Sequence, residues 1–370
     1  MSKLIYASSK DPDFYYALKK NISDPVFLLD LKGKKFVFLD EREYGIFKDG
    51  KNPDIEPVLL SSLFEKIKLI TDEVSFREKL AYHIFQEYDL LDSEVNIPMN
   101  FPIDVLDYLR LRGARLKPVA ILCPERRKKS KDEIKMIAKN QKNVLKSFRE
   151  AEKILAASEI KDGRVFYKGK ILTSETIKKS IRKVLIKNDL IDIEGMIVSS
   201  GAHSAIPHHS GEGEIRPGDP IIIDIFPKNL DNYYAADMTR TYVKGEPKDE
   251  FKKMYEAVLA AQEKAISLVK PGMKTKEIYE AAKEELVVRG FHAGEKGFTH
   301  GLGHGLGLDI HEAPSLKSVS EDVLVIGDII TIEPGLYYPE IGGVRIEDVL
   351  VVTKKGYKNL TNYPKSYLIG

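Results

Sequence analysis

The 370-residue chain is 43% hydrophobic and 31% charged, and its 58 basic and 56 acidic side chains leave a formal charge of +2. That balance gives no electrostatic case for nucleic acid or an anionic membrane surface, and no stretch approaches the roughly eighteen uninterrupted apolar residues of a membrane span. A single cysteine, Cys123, rules out an intrachain disulfide and points to no oxidising compartment, so a cytoplasmic protein is expected.

Two domains are expected at this length. Residues 1–124 alternate helical and strand signals. DPDFYYALKKNI predicts a helix, PVFLLDL and KKFVFLD predict strands about a glycine turn, FREKLAYHIFQEYDLL and IDVLDYLRLRG predict helices, and LKPVAILC predicts a closing strand. This is a small α/β domain with no catalytic cluster. His83 falls within a helical pattern as a packing or surface residue, and Cys123 reads as a buried, inert thiol at a strand end. Pro124 and the run RRKK at 126–129 mark the boundary to a second domain, 125–370, with the basic run read as a solvated linker.

Ser130 and Glu133 form a capping-box signature. The helix they open carries Ile134, Ile137, Val144, Phe148, Ala151 and Leu155 on one face. From there the chain repeats itself. Helices over 131–157 and 174–188 precede GDPIIID (218–224), and helices over 248–269 and 275–289 precede GDIITIE (327–333). Each apolar strand ends in a carboxylate, Asp224 or Glu333. A second strand then brings another, Asp237 thirteen residues on or Glu347 fourteen residues on. Two helix–helix–hairpin halves related by approximate twofold symmetry would bring the four acids face to face.

Buried carboxylates that converge without cations repel one another and resist ionisation. Arg345 is the one arginine that the pattern places to relieve this, and four acids are more than one ion requires. Two divalent cations about 3.5–4 Å apart fit the count. A separation above about 8 Å between the Asp237 and Glu347 carboxyls would rule such a site out. His304, in FTHGLGHGLGLDIHE, is the candidate nitrogen ligand; the glycines around it make a helical His300–His304 pair improbable and are expected where backbone passes close to metal and substrate. Four carboxylates with one imidazole favour Mn²⁺, with Co²⁺, Zn²⁺ or Fe²⁺ as alternatives.

Residues 131–370 resemble the M24 metallopeptidase family of methionine aminopeptidase, prolidase and aminopeptidase P through SGAHSAIPHH, IIIDIFPKNLDNYYAADMTRTY, HGLGHGLGLDIHEAP, TIEPGLYYP and GGVRIEDV. The resemblance implies an α/β (α+β) chain with a C-terminal pita-bread domain and the metal ligands Asp224, Asp237, His304, Glu333 and Glu347. It further implies attack by a hydroxide bridging the two metals, with Glu333 shuttling a proton. His208 (His209 as the fallback) and His311 would act on the substrate and its tetrahedral intermediate. His300, Tyr337 and Arg345 match substrate-binding residues of the proline-specific branch, whose members carry an N-terminal α/β domain of this size. The Asp224–Asp237 interval is two residues longer than is usual in that family, which an enlarged turn at PKNLDN would absorb.

The expected activity is therefore metal-dependent hydrolysis of the Xaa-Pro bond at the N-terminus of peptides, by a homodimer with no nucleic-acid or membrane partner. A prolidase restricted to Xaa-Pro dipeptides is the alternative. A non-peptidase enzyme or a binding module on the same fold is further off, because relatives of those kinds alter or lose ligands and none is missing here.

Overall fold

A computed structural model describes residues 2–48 and 52–369, and the chain forms two compact units, Met1–Glu125 and Arg126–Gly370. Among the described residues, no helix is long and apolar enough to cross a membrane.

The first unit runs β1 (Ser2–Ala7), α1 (Pro12–Leu18), β2 (Val26–Leu31), β3 (Lys34–Leu39), α2 (Glu41–Lys48), β4 (Ile55–Leu59), α3 (Phe64–Lys68), α4 (Phe76–Glu87), β5 (Glu94–Pro98), α5 (Ile103–Leu111) and β6 (Arg115–Val119). The strands make one mixed sheet in the order β4-β3-β2-β1-β5-β6. Their near-continuous apolar runs bury residues on both faces, Leu4, Phe27 and Leu29 in one cluster and Ile5, Leu28 and Val37 in the other. α1 starts where the Asp11 side chain accepts the N–H groups of Asp13 and Phe14, with Pro12 at the first helical position. His83 is buried on α4. The expected strand through LKPVAILC stops early. Val119 pairs with Pro98, the last residue of β5, so there is no partner strand beyond it and Cys123 lies buried in a loop.

In the second unit α6 (Lys131–Ala156) opens with the Ser130–Glu133 capping box and buries Ile137, Val144, Phe148, Ala151 and Leu155. A small sheet follows, β7 (Glu159–Lys161), β8 (Arg164–Tyr167) and β9 (Lys170–Ile171), and then α7 (Ser174–Ile186) and β10 (Leu190–Ile191). The first half closes with β11 (Ile197–Ser200), β12 (Pro220–Ile225), β13 (Lys228–Asn229) and β14 (Met238–Lys244). In the second half α8 (Asp249–Ser267) and α9 (Thr275–Val288) precede β15 (Gly303–Gly305), β16 (Glu312–Leu316), β17 (Ile329–Ile332), β18 (Gly335–Tyr338), β19 (Gly342–Arg345), β20 (Asp348–Thr353) and β21 (Gly356–Asn359). The chain ends with β22 (Leu368–Ile369) beside β14. The two sheets run β11-β12-β14-β22 and β16-β15-β17-β20-β21, each backed by its own helix pair and its own apolar core.

Two further sequence expectations need correction. The second half is not one plain hairpin, because β18 and β19 form a separate ribbon between β17 and β20, leaving Ile346 and Glu347 in a two-residue break. The enlarged turn after β12 needs no correction and is held in place: β13 pairs with β10, and the Asn229 side chain accepts the N–H groups of Asp231 and Asn232. The basic run 126–129 is solvated only at Lys128. Buried carboxylates such as Asp328 require countercharges; Arg127 supplies one for Asp328, and Lys129, itself buried, pairs with Glu312.

Candidate metal centre

One cavity of about 570 Å³ is lined by Asp224, Asp237, His304, Glu333 and Glu347, together with His208, His300, His311 and Arg345. Asp224 projects from β12, and His304 from β15. The other three acids sit just outside strands: Asp237 one residue before β14, Glu333 one after β17, and Glu347 in the break before β20. Strand ends free a backbone to turn its carboxylate away from the pleat. Thus Glu347 N–H leaves its own ladder and donates to Thr239 O of β14 at 3.0 Å, tying the two halves together.

Ligand atoms of Asp237, His304 and Glu347 all lie within 4.8 Å of one another, inside the spacing limit set above. His304 Nε2 is 3.1 Å from Glu333 Oε1 and 3.8 Å from Asp237 Oδ2. Threonines orient the acids: Thr239 Oγ1 donates to Glu347 Oε2 at 2.9 Å, and Thr331 Oγ1 donates to Glu333 Oε1 at 3.2 Å while accepting His304 N–H at 3.0 Å. The glycines beside His304 are required by the neighbouring strands more than by anything in the cavity. A Cβ on Gly303 would strike the Thr331 carbonyl, and one on Gly305 would strike the Ala313 carbonyl.

The electrostatics express crowding. Burial, and then the charge of Asp224, push the Asp237 carboxyl well above its ordinary range; burial, and then Asp237, do the same to Glu347. Burial also raises Asp224, against the pull of Arg345. Glu333 goes the other way. Burial opposes its ionisation, but the hydrogen bond and charge of His304 outweigh it and bring the group to about 2. Burial likewise opposes His304, yet Glu333 raises it to about 9. Asp224 Oδ1 is buried with no hydrogen-bond partner among the described residues. An orphaned carboxylate oxygen, three acids that resist ionisation and a nearby imidazole fit divalent cations well, because such ions neutralise the repulsion and favour oxygen with nitrogen.

Behind Asp224 lies a polar chain. Arg345 Nη2 donates to Asp224 Oδ2 at 2.6 Å and Nη1 donates to Tyr337 OH at 2.7 Å. Tyr337 OH is 2.8 Å from His300 Nε2, and His300 Nδ1 is 2.7 Å from Gly301 O. A carbonyl can only accept, so His300 carries its proton on Nδ1 and Nε2 accepts from tyrosine. Tyr337 is absent from the cavity wall, whereas His300 and Arg345 line it, and both ring nitrogens of His300 are engaged within the protein. His208 is in the wall. His209 instead stacks on His203, 4.0 Å between ring centroids.

His203, His209 and Glu212 make a second close group outside this cavity. Their near-parallel rings cannot both aim in-plane lone pairs at one ion, and His209 Nδ1 already accepts Gly211 N–H.

Two positioning residues carried no recognisable sequence signal beyond being polar on an apolar helix face. Gln141 of α6, fully buried, accepts Asp237 N–H at 3.1 Å and donates to Asp237 O at 2.7 Å. Gln262 of α8, also fully buried, donates to Ile332 O and Ile346 O, the carbonyls just before Glu333 and Glu347. The matched halves thus use one glutamine each to hold the backbone beside the candidate ligands.

The sequence model of Metallopeptidase family M24 matches residues 142–354. The chain is 35% identical over 355 residues to an Xaa-Pro dipeptidase of Pyrococcus horikoshii, covering 90% of this chain and 97% of that one. The fold is similar to the crystal structure of the prolidase from Pyrococcus horikoshii, with a TM-score of 0.77 at 29% identity over 99% of this chain and 95% of that one. It is also similar to an Xaa-Pro dipeptidase from Bacillus anthracis, with a TM-score of 0.81 at 25% identity over 100% and 95%. With its pseudo-symmetric halves and its paired acids around one histidine, the chain belongs to metallopeptidase family M24.

Proposed function

We propose that the protein is a metal-dependent exopeptidase that hydrolyses the Xaa-Pro bond at the N-terminus of peptides. The observation that carries the reading is the convergence of four carboxylates and one imidazole on a cavity whose wall also holds His208, His311 and the apolar side chains Ile197, Pro207, Phe226 and Ile310. Asp224, Asp237, His304, Glu333 and Glu347 would hold two divalent cations, with Mn²⁺ favoured by the donor set. Bound there, such cations supply Lewis acidity for the scissile carbonyl and lower the pKa of water towards neutrality.

The protein's own groups divide the remaining work. Glu333, held as a carboxylate, accepts the proton of the attacking water and returns it to the departing proline nitrogen. His311 is pushed down by burial and by the neighbouring His304, so it is neutral near pH 7 and its N–H donates to the oxygen that gains charge. His208 provides a second donor from the wall. The apolar residues accept the proline ring and exclude water from around it. Residues 1–124 are the N-terminal domain of the proline-specific branch in this reading, and a cytoplasmic homodimer is the expected form.

A dipeptidase is the second reading, favoured by Lys317. Its side chain lines the cavity and lies against Gly301, with no hydrogen-bond or ionic partner among the described residues. A dipeptide offers its free carboxylate to such a cation, and a longer peptide does not. Metal-free protein reconstituted with Mn²⁺ should be assayed on Ala-Pro and Ala-Pro-Ala. Cleavage of both supports the aminopeptidase, cleavage of Ala-Pro alone supports the dipeptidase, and cleavage of neither with metal bound refutes both.

A further inference from the structure

The basic run that opens the second unit does work that its position in sequence conceals. Arg126 Nη2 reaches Asp309 Oδ2 at 2.8 Å and Glu312 Oε2 at 2.9 Å, spanning the turn that contains His311. Lys129 closes on the other oxygen of the same Glu312 carboxylate, and its side chain is only 1% exposed. Arg127 forms a two-pronged pair with Asp328 at 2.9 and 3.0 Å, contacts Asp322 Oδ1 at 3.0 Å and donates to Val323 O at 2.6 Å. Asp322 in turn uses Oδ2 to accept Ser315 N–H at 2.9 Å.

The two grips meet on one element. β16 begins at Glu312 and ends at Leu316, so Arg126 and Lys129 hold its first residue while Arg127, through Asp322, holds its fourth. β16 pairs with β15 on either side of a register shift next to His304, and Glu312, Ser315 and Asp322 all line the cavity. We propose that Arg126, Arg127 and Lys129 are positioning residues, a clamp that fixes β16 and the His311 turn against the cavity wall. A two-pronged guanidinium–carboxylate pair holds direction as well as distance. A group that must meet a developing charge can lose about a hundredfold in rate when displaced by about 1 Å. The rate effect rests on the reading of His311 as a group that acts on substrate; the structural effect does not.

The test uses the full-length, Mn²⁺-reconstituted protein. Arg126→Ala should lower kcat on Ala-Pro by roughly 10- to 100-fold with bound metal unchanged, Arg126→Lys should restore part of the loss, and Lys128→Ala, from the exposed neighbour in the same run, should behave as the parent. In a His311→Ala background, Arg126→Ala should cost nothing further, since both changes disable one group. Amide hydrogen exchange supplies a readout free of catalysis: Arg126→Ala should speed exchange across 306–316 and leave 221–225 unchanged. Unaltered exchange in 306–316 would overturn the clamp. Full kcat in Arg126→Ala, or a loss as large with His311 removed as with it present, would overturn the clamp's action through His311. If Arg126→Ala fails to fold, Glu312→Gln is read in the same way, with accelerated exchange in 306–316 expected and unaltered exchange overturning the proposal. Parent protein that binds metal yet leaves Ala-Pro intact would sink the peptidase reading alone, and the exchange result would still decide the clamp.

Discussion

Replacing Gln141 by Leu removes the amide that holds Asp237 from both sides. Its oxygen accepts Asp237 N–H at 3.1 Å, and its nitrogen donates to Asp237 O at 2.7 Å and to Thr361 Oγ1 at 2.8 Å. Thr361 Oγ1 keeps its bond from Val349 N–H, so the loss falls on the two backbone groups of Asp237. Each buried group left unsatisfied costs about 1–3 kcal/mol, and the larger apolar side chain offsets part of that. The expected destabilisation of the metal-free protein is about 3 kcal/mol, read as a lower urea midpoint with an unchanged m-value. Because the slackened residue is a candidate ligand, metal affinity should fall about 10- to 100-fold, measured by competition with a chromophoric chelator. Asn140, one residue earlier, donates to Tyr234 O and holds the enlarged turn instead. Asn140→Ala should therefore lower stability with little change in affinity. If Gln141→Leu loses stability but binds metal as tightly as Asn140→Ala does, Gln141 is only a packing residue and the reasoning fails.

Other consequences concern the same cavity. Tyr337→Phe removes the hydroxyl between Arg345 and His300, leaving a buried guanidinium N–H without its partner; a loss of about 1–3 kcal/mol in denaturant melts is expected, and no loss would show that the chain behind Asp224 is slack. Glu347→Gln should reduce metal bound at saturation, counted by elemental analysis, and an undiminished count would remove Glu347 from the ligand set. In metal-free protein His304 is raised from 6.5 to about 9, so the folded state holds a proton that the unfolded state releases. Its contribution is full below about pH 6.5 and is lost as pH rises through about 9, so that urea midpoints should decline across that window; a rise would contradict the His304–Glu333 pairing. Lys317→Ala should raise KM for Ala-Pro and leave that for its amide nearly unchanged if the cation meets the free carboxylate, whereas equal effects on both would exclude that contact.

The repeat was legible because apolar strands that end in carboxylates stand out against any background. Asp224 and Glu333 also occupy the same frame six residues after Gly218 and Gly327. The ribbon formed by β18 and β19 was not. Its alternation continues smoothly from GGVR into EDVLVV, and only the three-dimensional pairing shows the break at Glu347. The basic run misled for a related reason. Its acidic partners lie 183 to 201 positions away, so local composition reads as solvent-facing what the fold buries. Gln141 and Gln262 were hidden because one amide on an apolar helix face looks the same whether it serves solvent or a neighbouring backbone. Among the histidines, His304 stood out as the nitrogen candidate beside the four acids, whereas nothing in the sequence could show that His300 lines the cavity while its partner Tyr337 lies behind the wall.

The central claim is that this carboxylate–histidine centre, charged with two divalent ions, cleaves before proline. Titrating metal-free protein with Mn²⁺ while following both bound metal and alanine released from Ala-Pro tests it most directly. The expected result is cleavage that grows with occupancy, saturates by two equivalents and disappears on chelation. Two bound equivalents without cleavage, or cleavage that survives complete metal removal, would contradict it.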